Sequence, residues 1–157
     1  MRFSALVAVG LLIGCMRMPA TGLAAHRAQS ASSNSAATEF SEEDAATVLE
    51  GLRAALETHD ERMFLKQFSP TMRGYAAFGD QTRGFFVAYV NFRVGYRILQ
   101  TWNENGRGVV TVQFDLQAEA AGAGAAPITK SAQLRFEMIS DSKGWKIISM
   151  RPGDFFS

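Results

Sequence analysis

Val109–Ala118 reads VVTVQFDLQA. Its residues alternate strictly: Val110, Val112, Phe114, Leu116 and Ala118 fall on one side, and Val109, Thr111, Gln113, Asp115 and Gln117 on the other. Ser131–Ile139, SAQLRFEMI, repeats the pattern, with Ala132, Leu134, Phe136 and Met138 as the apolar row and Gln133, Arg135 and Glu137 opposite. Two amphipathic strands of matching period are expected to be neighbours in an antiparallel sheet, with one face on a core and the other on water. The rest of the chain must then cover the apolar face.

Between these strands lies a loop of small residues, Glu119–Pro127. With the loop centred near residue 125, paired positions sum to about 250, so that Asp115 faces Arg135, Gln113 faces Glu137 and Phe114 faces Phe136. Sums of about 248 or 252 also keep apolar beside apolar, whereas a slip of one residue turns the strand over. The preferred register joins opposite charges, worth ~0.2–1 kcal/mol per cross-strand pair.

Upstream, Asn105-Gly106 is a two-residue hairpin signal. It joins Gly108–Ala118 to a strand expected over Phe92–Asn103. Downstream, a turn at Asp141–Gly144 leads to a last strand, Trp145–Met150, which Pro152-Gly153 ends. Phe155-Phe156 is either exposed or docked. Before the strands come helices. Ser41 is expected to cap a helix running to about Glu57, with Glu42, Glu43 and Asp44 in the turn where the helix dipole favours negative charge. Asp60 is expected to cap a short second helix carrying Met63, Phe64 and Phe68, which Ser69-Pro70 stops. Thr71–Gly79 reads as irregular, and Asp80 as the cap of a third helix over Gln81–Asn91. Helices followed by hairpin-linked strands predict an α+β domain, with helices on one side of an antiparallel sheet of about four strands.

Residues 1–39 are of a different kind. Met1-Arg2, an apolar run over Phe3–Ile13 and small residues after it form the order of a secretory signal, expected over 1–25. The run is shorter than the ~20 residues of a spanning helix. Two cleavage modes fit. Leu12-Ile13-Gly14-Cys15 matches a bacterial lipobox, in which Cys15 would be lipidated; ordinary cleavage would fall among Ala20–Ala24. His26–Thr38 is rich in Ser and Ala and reads, over 26–39, as a flexible tether, with His26 a solvated residue in it. The folded domain is expected over 40–157, exported to the periplasm or medium or lipid-anchored in the envelope.

Composition removes several classes of function. The 16 Lys+Arg nearly balance the 15 Asp+Glu, and no basic stripe suggests nucleic acid. Cys15 is the one cysteine, so the domain has no disulfide, cysteine nucleophile or thiolate metal site. No metal site or cofactor is expected, and a membrane contact only through a lipid on Cys15.

The opening SEEDAATVLEGLRAALETHDERMFLKQFSP, Ser41–Pro70, and the closing GWKIISMRPGDFF, Gly144–Phe156, resemble the nuclear transport factor two-like superfamily. This superfamily includes ketosteroid isomerases and polyketide cyclases of the SnoaL type. The resemblance covers about Glu39–Ser157. It implies a cone, in which a curved antiparallel sheet wraps helices, often around a pocket and often dimeric through the sheet. Its enzymes place an acid or base in the pocket, with its pKa tuned by burial. The apolar rows of the two central strands offer none, so no catalytic residue is carried over.

Phe85, Phe86, Val112, Phe114, Leu134, Phe136 and Trp145 are expected to line the pocket. Polar candidates must come from the helices or first strand: His59, Tyr75, Tyr89 and Tyr96. His59 beside Asp60 is better explained by the cap at Asp60, and buried tyrosines commonly satisfy their hydroxyls at a core edge. Arg93 and Arg97 share one strand face. The outward row Gln113, Asp115, Arg135 and Glu137 is either simply solvated or a self-complementary homodimer surface. The leading expectation is a non-enzymatic domain binding a small apolar or amphipathic molecule, or a protein partner. The alternatives are an isomerase, cyclase or dehydratase using the pocket, and a structural dimerisation module.

Overall fold

The computed structural model describes residues 39–122 and 126–157. The signal-like segment, Cys15 and the tether up to residue 38 lie outside the described residues. The elements are α1 (Glu42–Glu57), α2 (Glu61–Leu65), α3 (Tyr75–Ala88), β1 (Tyr89–Glu104), β2 (Arg107–Ala120), β3 (Ile128–Asp141) and β4 (Gly144–Arg151). The strands form one antiparallel sheet in the order β1-β2-β3-β4. This is the expected α+β architecture.

Helix α1 starts with a full capping box. The Ser41 hydroxyl accepts from the Asp44 backbone N–H, and the Asp44 carboxylate accepts from that of Ser41. Such a cap contributes roughly 1 kcal/mol. The helix buries Ala45, Val48, Leu49, Leu52, Ala55 and Leu56. It ends in a Schellman turn: His59 N–H donates to Leu56 O and Asp60 N–H to Ala55 O, with His59 at φ 56°. Asp60 then caps α2 through Met63 N–H at 2.8 Å.

Helix α3 corrects the sequence reading. It begins at Tyr75 rather than after Asp80, and Gly74 at φ 77°, not Asp80, is its N-cap. Phe78, Thr82, Phe85 and Phe86 form its buried face. Phe78 extends the helical spacing a turn upstream, and burying it draws Tyr75–Gly79 into the helix.

The β1–β2 hairpin turns on Asn105 and Gly106, both at positive φ (52° and 74°), as a two-residue turn matched to strand twist requires. The β2–β3 register keeps the expected parity but not the expected pairs. Asp115 faces Ser131, Gln113 faces Gln133 and Phe114 faces Ala132, while Arg135 faces Thr111, Glu137 faces Val109 and Phe136 faces Val110. The register follows burial: Val112 opposes Leu134, and each central strand sends its apolar row to the core. The charges found other partners.

An irregularity between Ile98 and Gln100 in β1 turns Leu99 outward, and another lies at Glu137/Met138 in the β3–β4 ladder. Such irregularities bend a sheet. A parallel bridge joins Phe68 to Ile147, through Ser69 N–H to Ile147 O and Ile147 N–H to Gln67 O. It pins the segment after α2 to the outer edge of β4. Phe155 and Phe156 are docked, not exposed. Phe156 is fully buried, with its ring 5.0 Å from Phe64 and 5.8 Å from Phe114.

Candidate functional site

The sheet's inner rows decide what chemistry the interior can hold. Val110, Val112, Phe114 and Leu116 of β2, Leu134, Phe136 and Met138 of β3, and Trp145 and Ile147 of β4 are buried. Phe64, Phe68, Phe78, Phe85, Phe86 and Phe92 close over them from the helices and β1. The residues expected to line a pocket, Phe85, Phe86, Val112, Phe114, Leu134 and Phe136, lie in this packed cluster. Trp145 lies at its margin, against Phe40 at 4.8 Å, and borders a cleft of about 210 Å³ with Asp44, Thr47 and Lys143.

Sequence reasoning missed one inward group, Lys130. It lies one step beyond Ala132 on the same row, opposite Leu116. Its Nζ donates to Phe155 O at 2.9 Å and Ser157 O at 2.7 Å, 5.4 Å from the centre of the Phe85 ring. Burial pushes its pKa below the ordinary lysine range, with Asp154 partly opposing. Parity along the row was the available signal. Reading that row only as far as the apolar residues hid it.

The polar candidates are dispersed. His59 is exposed at the end of α1, its ring 5.3 Å from Phe86 and 5.8 Å from Phe92. Tyr89 packs on Phe85 at 5.3 Å. Tyr96, opposite Phe114 on the inner row of β1, donates its hydroxyl to Glu50 Oε2 at 3.4 Å. Burial, reinforced by the Glu50 carboxylate, pushes the Tyr96 hydroxyl above its ordinary range. Arg53 in turn binds Glu50 and Glu57, and its hydrogen bonds hold the Glu50 carboxyl below the ordinary range. This chain of contacts fastens α1 to β1.

The outward residues of the sheet fall into two groups. Gln113 Nε2 donates to Ser131 Oγ at 2.9 Å, and Ser131 donates to Asp115. Further along, Arg135 binds Glu104 at 3.0 Å and lies 5.0 Å from the Trp102 ring centre, while Glu137 accepts from Arg107 at 3.4 Å. Arg93 and Arg97 share this face, opposite Gln117 and Gln113.

Tyr75 is the polar candidate that borders a large cleft. This cleft, of about 1150 Å³, lies between α2, the start of α3 and the β3–β4 turn. Leu65, Phe68, Pro70 and the Tyr75 ring supply apolar lining; Arg62, Lys66, Arg83, Lys143 and Lys146 supply positive charge against Glu61 and Asp141. Arg83 is held by Glu61 at 3.5 Å and Asp80 at 3.1 Å. Asp141 accepts the Lys143 backbone N–H at 2.7 Å. Among the described residues, the side chains of Arg62, Lys66, Lys143 and Lys146 have no ion-pair partner. Sequence reasoning did not assemble this cleft, because its parts come from three elements joined through the Phe68–Ile147 bridge. Among the described residues, no group of three or more His, Cys, Asp or Glu is placed to hold a metal ion.

No protein-family model matches the chain, and no curated protein matches its sequence. Solved structures do match. A nuclear transport factor 2-like superfamily protein from Salmonella enterica superposes with a TM-score of 0.58 at 11% identity, over 69% of this chain and 86% of its own. A protein named for aromatic ring hydroxylation, from Novosphingobium aromaticivorans, gives 0.56 at 14% identity, over 71% and 89%. Aln2 from a Streptomyces species gives 0.52 at 12% identity, over 71% and 90%. At these identities the likeness concerns architecture, and it agrees with helices packed on one face of a four-stranded antiparallel sheet. The chain has the nuclear transport factor 2-like cone fold.

Proposed function

We propose that this chain is an exported, non-catalytic binding domain, taking a small amphipathic molecule or a protein partner at the cleft between α2, α3 and the β3–β4 turn. The observation that carries the reading is the interior. Catalysis in such a fold needs an acid or base aimed at bound substrate. Here the inner rows of β2 and β4 are apolar where buried, and Lys130 on β3 is engaged by two backbone carbonyls of the chain itself. The large cleft lies elsewhere, with mixed apolar and cationic lining suited to orienting a ligand. Native mass spectrometry of the full chain, purified from its own host without detergent, is expected to show a defined small-molecule adduct or a stoichiometric partner. A bare chain that turns over a carbonyl or cyclisable substrate would instead establish the isomerase, cyclase or dehydratase alternative.

A second reading concerns the sheet. Asp115 is exposed, with Arg97 near it along the neighbouring strand on the same face. A two-fold axis through this strip would set each beside its opposite in a second copy. Light scattering on the mature chain is expected to give twice the monomer mass, and Asp115→Arg to halve it. Export and anchoring have their own test: globomycin-sensitive labelling with a radioactive fatty acid marks Cys15, whereas an unlabelled N-terminus among residues 20–25 marks ordinary cleavage.

A further inference from the structure

We infer that the cleft between α2, α3 and the β3–β4 turn takes an amphipathic organic phosphate: a phosphate monoester on an apolar body. This rests on the reading of the chain as a binding domain and names the ligand class. Of the seven charged side chains around the cleft, Arg83 and Glu61 pair with each other, while the Asp141 carboxylate accepts the Lys143 backbone N–H and keeps its negative charge. The four left over, Arg62, Lys66, Lys143 and Lys146, are all cations, and they outweigh Asp141 to leave a net positive charge. One carboxylate would leave most of this charge uncompensated. A phosphate monoester carries about −1.5 to −2 charges near neutral pH and three strong acceptor oxygens. The surplus is local, since the whole chain is nearly neutral.

Size and polarity define the rest of the ligand. At about 1150 Å³, the cleft is far larger than a bare phosphate needs and matches an organic ligand. Its apolar lining, Leu65 and Pro70 with the Tyr75 ring, backed by the buried Phe68, favours a hydrocarbon part over a polar one. Phe68 is fixed by the bridge to Ile147, so this lining is built before any ligand arrives.

The test uses dodecyl phosphate below its micelle concentration, titrated calorimetrically into the full chain. Saturable binding is expected, at least roughly tenfold tighter than for dodecanol, for laurate or for inorganic phosphate. Binding should weaken as salt rises from about 50 to about 300 mM, because exposed charges are screened. Lys66→Ala combined with Lys146→Ala should weaken it by at least roughly tenfold with an unchanged melting temperature. Lys143→Glu, on the exposed turn, serves as an independent variant with the same expected loss. Equal affinity for the neutral or carboxylate probe, or unchanged binding in the variants, overturns the phosphate assignment. So does attachment only to phosphatidic-acid vesicles, which would make the cleft a membrane-surface contact. A phosphorus-free native adduct would remove the phosphate and leave the binding domain standing; a bare, partnerless chain that binds none of the probes would remove both.

Discussion

Thr82 is fully buried on α3, and its hydroxyl has no hydrogen-bond partner. A buried, unpaired hydroxyl costs roughly 1–3 kcal/mol. Thr82→Val, which keeps the shape and removes the polar atom, is expected to raise stability by about 1 kcal/mol in urea unfolding. Gly108 is the opposite case. A Cβ there would run into the ring of Phe40, which packs edge-on against Trp145. Gly108→Ala should therefore destabilise by about 1–3 kcal/mol, with the Trp145 emission reporting the displaced Phe40. Neither effect is visible in the linear pattern. Position 108 looks like an ordinary strand start until Phe40, from the far end of the domain, is laid across it. His59 shows the reverse: its pairing with Asp60 suggests chemistry in the sequence, and the Schellman turn and Asp60 cap account for both.

At the scale of elements, period carried far. The alternation in β2 and β3 identified the sheet and its inner face, Asn105-Gly106 located the hairpin, and Ser41 and Asp60 marked two helix starts. Charge pairing was a weaker guide. Asp115–Arg135 was worth at most ~1 kcal/mol as a cross-strand pair, too little to set a register against the burial of Val112, Phe114, Leu134 and Phe136. The start of α3 escaped because Gly74, not a side-chain cap, begins it. The tie between α1 and β1 has a pH signature. The Tyr96 hydroxyl titrates above its ordinary range in the folded chain, so its contribution is complete below about pH 10, the ordinary tyrosine value. It is lost as pH rises from there through the raised folded-state value, since the unfolded chain ionises first. Tyr96→Phe is expected to lose less stability than the parent between about pH 8 and 11, measured by urea unfolding at each pH.

For the whole molecule, the large unknown from sequence was the closing of the core. Phe155-Phe156 had no period to place it, yet Phe156 touches Phe64 from α2, Phe85 from α3 and Phe114 from β2. Phe156→Ala is expected to cost about 3–5 kcal/mol, a large share of the roughly 5–15 kcal/mol typical of a domain. A chain stopped after Arg151 should fail to melt cooperatively in calorimetry. The basic cleft was equally out of reach, because it exists only once β4 is fastened beside Phe68.

The burial of Phe156 also sets a schedule for biosynthesis. A ribosome makes residue 40 well before residue 156, and until the later one emerges the aromatic rings of α2 and α3 lack a partner that seals them from water. The domain therefore cannot finish folding while its elements are still being translated.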